Sequence, residues 1–156
     1  MFTLSLTLAL LMATTPIDGD PGFEPCSANK GPEVGVGILC DRALMALEAR
    51  EIGVADRLSQ TATELAPSHP GAWVVRAKVA QRARRVAEAR DHYETAAGLE
   101  PDNAGLLIAM GDFEAAEGNV RGAAVLYERA AGLDPMFPGL SERLDALGDD
   151  PQANEI

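Results

Sequence analysis

Apolar and small residues recur through the middle of the chain with a period of 34 residues. Pro67, Pro101 and Pro135 mark the period. Leu65, Leu99 and Leu133 stand two places before them, and Ala62, Ala96 and Ala130 five places before. Ala55, Ala89 and Ala123 lie twelve places before, preceded by the β-branched Ile52, Val86 and Val120. Further back come Ala43, Ala77 and Gly111, and then the larger Leu39, Trp73 and Leu107. Seven positions held at one period over three cycles make an internal repeat.

Each period predicts two antiparallel helices. Small residues at Ala43, Ala77 and Gly111, facing Ala55, Ala89 and Ala123, let the two backbones approach closely. Leu39, Trp73 and Leu107 fill the space between them. The prolines end each second helix, because proline lacks an N–H and clashes with the preceding turn. Ser68 and His69, and Asp102 and Asn103, fall in the turn ahead of the next first helix, where capping residues belong. No such pair buries its apolar faces alone, so the pairs must stack. After Pro138, Leu140, Leu144 and Leu147 share one helical face, with Ser141, Glu142, Arg143 and Asp145 off it. This predicts a capping helix over 138–148, ended by Gly148 and followed by an acidic tail over 149–156.

A 34-residue period with the order W…G/A…A…Y…A…P resembles the tetratricopeptide repeat. The units fall at 36–69, 70–103 and 104–137. Tyr93 and Tyr127 occupy the second-helix aromatic position, with Ser59 there in the first unit. The chain departs from the family at Ala46, Ala80 and Glu114, where a large aromatic is usual. It departs again at Arg42, Arg76 and Met110, where leucine is usual. The resemblance implies an all-α fold: a right-handed α-solenoid of three helix–turn–helix units plus a C-terminal capping helix.

The resemblance also implies a protein–protein interaction module. Many members bind an extended peptide or a helix in the concave groove lined by the first helix of each unit. Carried onto this chain, the groove positions are Cys40, Leu44, Leu47 and Glu48; then Val74, Lys78, Gln81 and Arg82; then Ile108, Asp112, Ala115 and Ala116. Each set is spaced to share one helix face. Lys78 and Arg82 belong to a basic stretch from Arg76 to Arg90 that includes Arg84 and Arg85. They are expected to meet a carboxylate or acidic segment of a partner. The alternative is that they pair with Glu48 and Asp112, or are solvated. The family's clamp for chaperone carboxyl termini uses Lys and Asn where this chain has Cys40, Leu44, Val75, Gly105 and Ala109, so that function is not expected. The role implied is an adaptor or assembly factor, or alternatively a fixed subunit of a cell-envelope complex associating through its convex face.

Composition narrows the classes. A hydrophobic fraction of 47% excludes a disordered chain, and only 4% aromatics suits closely packed helices. A net charge of −11 argues against nucleic acid, whose binding depends on neutralising phosphates. No catalytic setting surrounds Ser59, Ser68 or Ser141, and His69 and His92 are the only histidines. With two cysteines and no CxxC, neither a zinc site nor a cofactor is expected, and the chain does not read as an enzyme.

Residues 2–13, FTLSLTLALLMA, form an apolar run too short for a membrane span, which needs about 20 residues. It has the length of a signal-peptide core. The reading is a signal peptide over 1–15, export to the periplasm or exterior, and an irregular Pro/Gly-rich arm over 16–35; otherwise the chain is cytoplasmic. In an oxidising compartment Cys26 and Cys40 are expected to pair. That bridge would close a loop of about 15 residues, worth about 3 kcal/mol on the chain-entropy account.

Overall fold

A computed structural model describes residues 34–148. The stretch read as a signal peptide, almost all of the stretch read as an arm with Cys26, and the acidic residues after 148 lie outside the described residues. Those described form seven helices and no strand. They are α1 (Val34–Glu48), α2 (Ile52–Leu65), α3 (Pro70–Arg82), α4 (Val86–Leu99), α5 (Ala104–Ala116), α6 (Val120–Leu133) and α7 (Leu140–Gly148).

The period sets the boundaries. Helices α2, α4 and α6 end at residues 65, 99 and 133, each two residues before a proline of the repeat. The residue preceding each proline leaves helical geometry: φ is −137° at Ala66, −134° at Glu100 and −142° at Asp134. This is the conformation that a following proline ring enforces. The next first helix is capped by a side chain. His69 accepts the N–H of Ala72, and Asn103 accepts that of Leu106. Within each hairpin the chain turns through one left-handed residue: Arg50, Arg84 and Gly118, at φ 60°, 61° and 82°.

α1 begins at Val34, inside the stretch read as irregular arm. Gly35 and Gly37 weaken helix propensity there. The burial of Val36, Cys40 and Ala43 against Ala62, Ala72 and Val75 anchors this first turn and carries the start two residues earlier.

Each hairpin packs on the one before it. α3 lies against both α1 and α2, α5 against α4, and α7 against α6. One apolar cluster joins α3, α4 and α5 through Val74, Ala77, Tyr93, Leu106 and Phe113. Another joins α5, α6 and α7 through Leu107, Ile108, Tyr127 and Leu140. Gly111 stands where the other hairpins have Ala43 and Ala77, because a Cβ there would collide with the Tyr127 ring. The result is the all-α solenoid that the resemblance implies.

The departures from the repeat pattern have physical substitutes. Ala80 is buried in the cluster that contains Tyr93 and Phe113, whose rings stack 5.2 Å apart across the α4–α5 junction. Glu114 is buried and held by Arg90, whose Nε and Nη2 donate to its two oxygens at 2.7 and 2.9 Å. Asn119 Nδ2 donates to the same carboxylate. The Arg90 hydrogen bonds lead in holding the Glu114 carboxyl below its ordinary range, against a smaller opposing effect of burial.

Candidate functional site

The first helices α1, α3 and α5 carry the groove positions, and the structure divides these into three depths. Val74 and Ile108 are fully buried, as is Cys40, and Leu47 is nearly so. Val74 belongs to the cluster containing Leu106 and Ala109, and Ile108 to the one containing Leu140. These side chains hold neighbouring hairpins together and offer a ligand no surface. The sequence reading placed them on the groove face, and packing between units turns that row inward. Leu44, Lys78, Gln81, Asp112 and Ala115 are half-buried, while Glu48, Arg82 and Ala116 are exposed. The accessible strip is therefore narrower than the spacing suggested, and it is polar along α3.

Asp112 does not pair with the α3 cations. Arg143 of α7 grips it with Nε at 2.7 Å and Nη2 at 2.9 Å, and the Tyr127 hydroxyl donates to it at 2.6 Å. Burial first, then the bond to Asp112, pushes the Tyr127 hydroxyl well above its usual range. Half of the basic stretch is scaffold. Arg85 donates to Asp56 on α2 at 2.6 Å and to Glu88 at 3.0 Å. Arg90 ties α4 to α5 through Glu114. Arg76 donates from Nη1 to Thr63 and from Nε to His92 Nε2, both at 3.2 Å. Nothing in the sequence marked these arginines as ties, because their partners lie on other helices, 13 to 29 residues away. Arg82 is left exposed, with no ion pair among the described residues.

His92 stacks on Trp73 with ring centroids 5.5 Å apart, and Trp73 Nε1 donates to the Pro67 carbonyl at 2.8 Å. Burial, and then the Arg76 charge, lower the His92 pKa below its ordinary value. Neutral His92 is the form that can accept from Arg76. No group of three or more metal-ligating side chains occurs among the described residues. No helix among them is long and apolar enough to cross a membrane.

No family model and no curated protein matches the sequence. Solved structures do match the fold. The NMR structure of the first TPR domain of the human RPAP3 protein aligns with a TM-score of 0.66 at 18% identity, over 76% of this chain and 91% of that one. The first TPR of Spaghetti (RPAP3) bound to HSP90 peptide SRMEEVD aligns at 0.64 and 17%, over 74% and 91%. The Sgt2 TPR domain from Aspergillus fumigatus aligns at 0.65 and 19%, over 76% and 78%.

The chain has the tetratricopeptide-repeat fold.

On this fold the positions of the chaperone clamp are largely sealed. Cys40, Val75, Gly105 and Ala109 are buried and Leu44 is half-buried. Among the groove residues, the accessible polar groups are Lys78, Gln81 and Arg82 along α3, with Glu48 exposed on α1 and Asp112 half-buried on α5.

Proposed function

We propose that this tetratricopeptide-repeat chain is a non-enzymatic interaction module that captures a partner peptide or helix across α1, α3 and α5. It serves as an adaptor or assembly factor. The observation that carries this reading is Arg82. Arg76, Arg85 and Arg90 of its stretch are consumed in ties between helices, and Arg84 lies in the turn, whereas Arg82 stands exposed beside Gln81 on the groove strip. An exposed guanidinium next to a side-chain amide suits a carboxylate or acidic segment, since the planar fork of arginine matches that group. Leu44 and Ala115 supply apolar ground on either side. The fold agrees with the reading, because one structure that shares it holds a bound peptide. The HSP90 peptide itself is not the proposed ligand, since the clamp positions here carry no Lys or Asn.

Export and a Cys26–Cys40 bridge are part of the same proposal. The apolar run over 2–13 supports export, and an even pair of cysteines in an oxidising compartment favours the bridge. Alkylation of both cysteines without reductant would refute the bridge.

The test is affinity capture from the cells that make the protein, crosslinked and fractionated by compartment, beside the Lys78→Glu/Arg82→Glu variant. Loss of a defined partner in the variant is the expected result, and unchanged capture would sink the groove reading. A second reading, a fixed envelope subunit associating through the outer helices, is favoured by the exposure of Val125 on α6. It predicts capture that survives the α3 variant and fails in Val125→Glu.

A further inference from the structure

The first helix of the stack has an apolar face that no helix among the described residues covers. Ile38 and Met45 on α1 are 54% and 62% exposed. The same repeat positions are Ala72 and Val79 in α3, and Leu106 and Phe113 in α5; all four are buried. Ala72 and Val79 pack in clusters with residues of α1 and α2, and Leu106 and Phe113 in one with residues of α4. The repeat therefore builds this face for contact with another helix, and α1 alone shows it to solvent.

Between Ile38 and Met45 lie Asp41 and Arg42, both exposed and neither in an ion pair among the described residues. The four residues are spaced to share one face. Their order is self-complementary. Two copies of α1 can be packed antiparallel about a twofold axis passing between residues 41 and 42. Ile38 of each copy then meets Met45 of the other, and Asp41 of each meets Arg42 of the other. This is the isologous pattern of a symmetric dimer, in which one patch serves both sides.

We propose that the protein forms a twofold homodimer through the outer face of α1. Charge selects the second copy over other occupants. A partner of a single sign would meet a like charge at Asp41 or Arg42. The chain's own arm is net acidic, with Asp18, Asp20, Glu24 and Glu33 against Lys30 alone, and so brings a like charge to Asp41, while the run over 2–13 carries no charge to answer either residue. The contact is a single helix pair, so the dimer is weak, with a dissociation constant on the order of 10 μM. Its consequence is bivalence: two grooves in one particle raise the apparent affinity for a partner that presents the ligand twice.

The test is sedimentation equilibrium of the 156-residue chain over a wide concentration range, with circular dichroism confirming that each variant is folded. The wild type should pass from monomer to dimer. Asp41→Arg and Arg42→Asp each replace two attractions by two repulsions, and each should weaken the dimer about tenfold. The exchanged pair Asp41→Arg/Arg42→Asp restores opposite charges across the axis and should recover the dimer, an outcome that no other surface predicts. A monomer at every concentration overturns the proposal. So does a dimer indifferent to all three variants, or one lost only on removing residues 1–33.

Discussion

At its C-terminal end the stack offers Leu107, Ile108 and Tyr127 to α7, which covers them with Leu140, Leu144 and Leu147 and locks on through the Arg143–Asp112 pair. At the other end α1 leaves Ile38 and Met45 in solvent. The repeat pattern is alike at both ends. What differs is whether another helix among the described residues packs on it. Burial in a stacked fold is a property of the junction, so the same repeat position holds a core residue in α3 and a surface residue in α1.

Several substitutions would break or sharpen that contrast, and the largest effect is at the closed end. Leu140→Ala removes a fully buried side chain and should cost about 3 kcal/mol in chemical denaturation. Met45→Ala at the open end, measured at a concentration where the protein is monomeric, should cost less than about 0.5 kcal/mol. Equal losses would mean that α1 is covered after all.

The ion-pair ties should follow the same rule. Glu114→Ala leaves Arg90 without the partner that is itself only 5% exposed, and should cost about 2 kcal/mol, reduced from a fully buried pair because Arg90 stays partly wet. Asp56→Ala cuts the Arg85 tie, where both side chains are more than a third exposed, and should cost less than about 1 kcal/mol.

The smallest effect is a pH dependence inside the second hairpin, where α4 meets α3. The folded-state pKa of His92 lies below its unfolded value, so the unfolded chain binds the proton more readily. The stability contributed by neutral His92 is complete above the unfolded pKa of about 6.5 and is lost as pH falls through the folded value. The fluorescence of Trp73, the only tryptophan and stacked on His92, should report the change. It should flatten in His92→Gln, whereas a curve unchanged in that variant would place the titration elsewhere.

Much of the fold was legible because the period is carried by small residues and prolines, whose steric roles are local. Pro67, Pro101 and Pro135 fix where three helices end, and Ala43, Ala77 and Gly111 report a close backbone approach. The groove was less legible. Helical spacing assigns Val74, Lys78 and Arg82 to one face, but whether that face meets solvent depends on how the next hairpin leans. For Val74 that is decided by Leu106, Ala109 and Phe113, more than 30 residues along the chain. The arginines were the least legible. Arg85, Arg90 and Arg143 reach carboxylates 24 to 31 residues away, a distance at which charge order along the sequence says nothing about pairing.

The central claim is that a partner occupies the strip across the first helices. It is tested most directly by placing a photo-crosslinking amino acid at Gln81 on α3, or at the exposed Val125 on α6, and irradiating living cells. The account predicts a discrete partner adduct from Gln81 and none from Val125. An adduct from Val125 alone would contradict it and move the working surface to the outer helices.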